Sequence, residues 1–206
     1  MSARSLTNSL TRSLLGIAAL TMTTAVLSQV AQCGSLASSY GPYDYRTDQD
    51  KLPIVDGAHF PPIVEALIRG NRGPLGADLD YTLRTFPNHH RALVAVMRYG
   101  QKTKSPQPRD LPRPVECYFE RALRFREDDS IARMIYAQFL QANARKEDAK
   151  QQLEAAAHHA DGNGFTHNNI GLIYFDMKEY QKALAHARKA TELGFDPAAL
   201  REQLRS

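Results

Sequence analysis

The residues of this chain able to bind a metal, move a proton or attack a carbonyl are seven histidines, two cysteines and scattered carboxylates. Four of the histidines form adjacent pairs, His89-His90 and His158-His159. Neighbours on a helix point about a hundred degrees apart, so one pair does not clasp one ion. Zinc on a helix favours His-x-x-x-His, which is absent here. A composite site from His158, His159 and His167 across the Gly162 turn is weighed against exposed histidines at helix ends, where the helix dipole favours them. The second reading is preferred, and no metal site is expected. There is no phosphate-cradling loop or nucleophile elbow. Gly70-x-x-Gly73-x-x-Gly76 has no strand before it and reads as a turn, not a dinucleotide site. Glu116, Glu120 and Asp128-Asp129 read as a helix surface and a cap. These residues point to no catalytic residue, no enzyme and no cofactor.

The two cysteines are Cys33 and Cys117. Two arginines, Arg4 and Arg12, precede an apolar run from Leu14 to Leu27, and no acidic residue occurs before Asp44. This is the build of an export signal over 1–32. The run is short for a membrane span, although an uncleaved anchor stays open. Val30-Ala31-Gln32-Cys33 is similar to a bacterial lipoprotein signal in Ala31 and Cys33, and departs from it at Gln32. Cys33 is therefore a lipidation candidate. An oxidising compartment would instead permit a Cys33–Cys117 disulfide, and cleavage beyond Cys33 would leave Cys117 as a buried apolar residue. All of these stay open in the sequence.

Without residues 1–32 the chain keeps 24 basic against 22 acidic residues, a net charge of +2. There is no basic stripe with interleaved aromatics, which argues against nucleic acid. Residues 33–59 hold many Ser, Tyr, Pro and Asp residues with no helical period and read as an extended lead-in. Tyr40, Tyr43 and Tyr45 are expected to pack on the first helices. Residues 60–87 read as capping helices or a degenerate repeat, with helical stretches over Pro61–Arg69 and Gly76–Phe86.

The elements that follow are set by small residues at one spacing. Ala137 and Gly171, Ala149 and Ala183, and Ala156 and Ala190 are each 34 apart. A fixed period of this length marks a solenoid of helix pairs. Helix A is expected over Ser130–Asn143 and helix B over Glu147–His159, with Gly162-Asn163-Gly164 turning into the next pair. An earlier pair reads as Asn88–Gln101 and Pro114–Phe125, with Ala95 at the small position. Ala95 to Ala137 is 42, so eight extra residues fall in the proline-rich loop Lys104–Pro112. In Phe86-Pro87-Asn88-His89-His90-Arg91, Pro87 stops one helix and Asn88 caps the next; the competing reading gives His89 to a binding groove.

Ile170-Gly171-x-x-Tyr174, followed by Ala183-x-x-x-Ala187-x-x-Ala190 and Asp196-Pro197, resembles a tetratricopeptide (TPR) repeat. The resemblance implies an all-α, right-handed helix-turn-helix solenoid of about three TPR-like repeats over 88–206. It also implies a groove lined by inward-facing helix A residues. Carried over by position, these are His89, Ala92, Val96 and Tyr99, then Ile131, Met134, Gln138 and Gln141, then Phe165, Asn168, Leu172 and Phe175. Met134 stands where the carboxylate clamp of some members begins with lysine, so that clamp is not expected. The function implied is an adaptor in the cell envelope, periplasmic or membrane-attached, that binds a peptide or protein segment. The alternative is a structural subunit of a larger envelope or secretion assembly, acting by self-association. The membrane is expected to be involved only through a lipid anchor or an uncleaved signal.

Overall fold

The structure, a computed structural model, describes residues 33–160 and 162–205. The chain divides into two compact units, Met1–Ser35 and Leu36–Ser206. The expected export signal lies outside the described residues. Both cysteines are disulfide-bonded, and none is free. No helix among the described residues is long and apolar enough to cross a membrane.

The larger unit is all-helical, a TPR-like solenoid of packed helix pairs. Its helices are α1 (Leu52–His59), α2 (Pro62–Glu65), α3 (Leu75–Thr85), α4 (His90–Thr103), α5 (Val115–Phe125), α6 (Ser130–Ala142), α7 (Lys146–His158), α8 (Gly164–Asp176), α9 (Tyr180–Glu192) and α10 (Ala198–Gln203). The pairs α4/α5, α6/α7 and α8/α9 repeat one pattern. Each A helix touches its own B helix and the next A helix, and each B helix touches the following A helix. Helices α2 and α3 make the same three contacts toward α4. Helix α10 touches α8 and α9 as the A helix of a further repeat would.

Small residues make the close approaches. A Cβ on Gly171 would lie 3.3 Å from the Ala183 carbonyl oxygen, so α8 and α9 meet where the period places them. Ala137, Ala149, Ala156, Ala183 and Ala190 are all fully buried. The A helices start alike: His89, Asp129 and Asn163 precede them, and each side chain accepts the N–H three residues on, at 3.1, 3.0 and 3.0 Å. Such a cap satisfies one of the orphan donors of a helix start. The ends are alike too. Lys104, Ala144, Lys178 and Gly194 turn left-handed after α4, α6, α8 and α9. The next N–H then bonds the carbonyl five residues back, as from Arg145 to Leu140 and from Glu179 to Tyr174, both at 2.9 Å.

The structure corrects several expectations. The cap of α4 is His89 rather than Asn88. Helix α9 ends at Glu192, with Gly194 turning left-handed ahead of Asp196-Pro197. The stretch Pro61–Arg69 is helical only over Pro62–Glu65, because Leu67 turns left-handed. The lead-in is not wholly extended, since Leu52–His59 is α1, with Pro53 in its first turn. That helix buries only Leu52 and Val55, too little apolar surface to give a period. Tyr40, Tyr43 and Tyr45 do pack, around Leu52, Val55 and Phe86.

A buried polar cluster ties the lead-in to the solenoid. Asn88 Nδ2 donates to Asp44 Oδ1 at 2.7 Å and to Asp129 Oδ2 at 2.8 Å. Its Oδ1 accepts the Tyr45 N–H at 2.9 Å. Arg46 and Arg126 also donate to Asp44, and His90 Nε2 bonds Asp129 at 2.9 Å. Burial alone would raise both carboxyl pKa values. In Asp44, Arg46 and Asn88 outweigh it; in Asp129, His90, the Ala132 N–H and Asn88 do. Both carboxyls are thus held below the usual range.

Candidate partner-binding face

The three caps fix the register of the A helices. From His89 to Asp129 is 40 residues and from Asp129 to Asn163 is 34. The first repeat therefore carries six extra residues rather than eight. Eight positions past each cap lie Met97, Ala137 and Gly171, so Met97, not Ala95, holds the small position of α4. The sequence alignment of α4 slipped by two residues, and its binding residues slipped with it.

In α8 the residues facing away from the helix B row are Phe165, Asn168, Leu172 and Phe175, all exposed or half-buried. In α6 the same positions hold Ile131, Met134, Gln138 and Gln141; of these only Met134 is buried. In α4 they hold Arg91, Val94, Arg98 and Gln101, none of them buried. The expected groove residues His89, Ala92 and Val96 instead lie in the core, fully buried. His89 is fully occupied there. Its Nδ1 accepts the Ala92 N–H, so its Nε2 carries the proton and donates to Asp56 Oδ1 at 3.0 Å. Burial pushes its pKa down despite Asp56, which keeps the ring neutral.

Tyr99 is occupied as well. Its hydroxyl donates to Asp110 Oδ1 at 2.8 Å, and burial together with that carboxylate pushes its pKa up to about 12. Asp110 Oδ2 also accepts the Gly76 N–H at 2.6 Å, in the first turn of α3. A Cβ on Gly76 would lie 2.7 Å from Asp110. The proline-rich loop is thus pinned across α3 and α4, with a carboxylate where the helix dipole favours one.

The face has a polarity that single residues do not disclose. Its four α6 positions are uncharged, and its four α8 positions are an amide and three apolar side chains. Its α4 positions bring two arginines. Arg91 Nε donates to Glu65 at 2.8 Å. Arg91 first, and Arg98 more weakly, holds the Glu65 pKa down, yet Arg98 makes no ion pair among the described residues.

The histidines do not form the composite site. His167 Nδ1 faces His186 Nδ1 at 3.0 Å between α8 and α9. Burial, then His167 and Lys182, pushes the His186 pKa down to about 4. Among the described residues no three His, Cys, Asp or Glu are grouped to hold a metal ion.

Residues 165–194 match the family model described as tetratricopeptide repeat. No curated protein and no solved structure matched the chain. The matched segment spans α8, α9 and the turn between them, so the chain carries a tetratricopeptide repeat, a protein–protein interaction module.

Proposed function

We propose that this chain is an adaptor of the cell envelope that binds a peptide or protein segment on the free face of its A helices. One observation carries the reading: α4, α6 and α8 stack side by side and leave one stripe each outside the core, rich in amides and apolar side chains. Amides bond a peptide backbone at both N–H and C=O, while the apolar positions take side chains. Because the stack is held by buried alanines and side-chain caps, it is rigid before binding, which lowers the entropy lost on association. The envelope location rests on the charged and apolar pattern before Cys33 and on the disulfide-bonded cysteines, which persist where the compartment is oxidising.

The test is a crosslinked purification of tagged protein from an envelope fraction, beside an Asn168→Ala/Phe175→Ala variant. A protein held by wild type and lost by the variant is the expected result. Equal recovery with both would move the binding surface elsewhere. Membrane and soluble fractions of the same lysate test the location.

A further inference from the structure

Resting on that reading, we infer that the preferred segment is bipolar: an acidic residue at its α4 end and aliphatic or aromatic residues at its α8 end. Three observations on the face lead there. Arg98 is exposed and makes no ion pair among the described residues, while its neighbour Arg91 is already engaged by Glu65. None of the twelve face positions carries a carboxylate, so nothing on the face competes for Arg98. At the opposite end Phe165 is 55% exposed, and Leu172 and Phe175 pack on the core with one side only. The α6 positions between them offer Gln138 and Gln141, which suit a peptide backbone of any sequence.

The two ends set a spacing. Packed helices lie about 8–10 Å apart, so α4 and α8, with α6 between, present their stripes about 20 Å apart. An extended segment rises about 3.3 Å per residue, which puts its acidic and apolar anchors about six residues apart. A helical segment, at about 1.5 Å per residue, would need about thirteen. Amides able to pair with an open backbone favour the extended form. An acidic residue is chosen over a phosphate because one free guanidinium meets one carboxylate in a two-pronged fork.

The experiment is selection from a library of random displayed peptides, long enough to span both ends, on the full chain. Counter-selection uses Arg98→Glu and Phe175→Ala, each checked for an unchanged thermal melt. The expected sequences carry Asp or Glu about six residues from Leu, Met, Phe or Tyr. Synthetic peptides made from them should lose at least about threefold in affinity to Arg98→Glu, the scale of an exposed ion pair. A Lys in place of the acidic residue should restore binding to that variant. Peptides that depend on Phe175 but show no acidic preference would overturn the bipolar ligand and leave the adaptor reading standing. Peptides indifferent to Phe175, or no enrichment at all, would overturn both.

Discussion

Asp129→Ala should be among the most damaging single changes in the solenoid, and its neighbours say by how much. As the cap of α6 it accepts the Ala132 N–H at 3.0 Å. Loss of a cap costs about 1 kcal/mol. Asp129 does more than its counterpart Asn163, whose side chain accepts the Thr166 N–H. It is 1% exposed and also accepts from Asn88 Nδ2 and His90 Nε2. Its removal leaves one Asn88 N–H unmatched, while the other still bonds Asp44, and opens the half-buried His90 ring to water; a buried donor left unmatched costs about 1–3 kcal/mol. The expected loss is about 2–4 kcal/mol for Asp129→Ala, against about 1 kcal/mol for Asn163→Ala. Urea unfolding reads both as a shift in midpoint at unchanged slope. The Asn88→Ala/Asp129→Ala pair should be non-additive, because each single change already breaks the same bond. If Asp129→Ala falls within about 1 kcal/mol of Asn163→Ala, the buried cluster is not the clamp described here.

Acid should loosen the α8–α9 pair. His167 and His186 have folded pKa values below the unfolded one, His186 at about 4, so the unfolded chain binds more protons in that window. Stability is full above about pH 6.5 and falls as pH drops toward 4. His186→Phe should flatten the urea midpoint between those values; an unchanged slope would refute the cause. Left-handed turns without glycine include those that follow α6 and α8, at Ala144 and Lys178. Ala144→Gly and Lys178→Gly should each raise stability by about 0.5–1 kcal/mol, where glycine inside a helix would lower it. Intact mass of the purified chain should be lighter by two hydrogens than its reduced form and carry no lipid; a lipid adduct on Cys33 would refute the disulfide.

What the sequence showed well was whatever repeats locally. Ala137/Gly171, Ala149/Ala183 and Ala156/Ala190 located α6 and α7 to within a residue or two, because small residues at a fixed period have one steric purpose. It showed poorly whatever is long-range and aperiodic. The Arg46–Asp128 and Arg126–Asp44 contacts each join residues 82 apart, across a lead-in with no pattern to betray them. The His89 error had a detectable signal. His89, Asp129 and Asn163 are all side chains able to accept an N–H, and aligning caps instead of alanines would have given the right offset. Three of the four residues expected on the α4 face, His89, Ala92 and Val96, are core.

The same two-residue correction explains how the first repeat differs. At the small position α4 has Met97, where α6 and α8 have Ala137 and Gly171. Three residues on, it has Gly100, where they have Leu140 and Tyr174. Large and small have exchanged places along one face, which keeps the packed volume while moving the close approach by one turn. The geometry agrees: a Cβ on Gly100 would lie 2.9 Å from Val115 Cγ2 and 3.3 Å from the Ser105 carbonyl oxygen. Helices α4 and α5 accordingly run less closely side by side than the later pairs, and the six-residue surplus lies at that end, fastened by Asp110. Gly100→Ala isolates this argument. In an ordinary helix interior the change stabilises by about 0.5–1 kcal/mol. Here Val115 is buried and branched at Cβ, so it cannot swing aside, and overpacking should cost about 1–3 kcal/mol. A thermal melt lowered by Gly100→Ala would match the exchanged contact; a raised one would mean that α4 and α5 meet elsewhere.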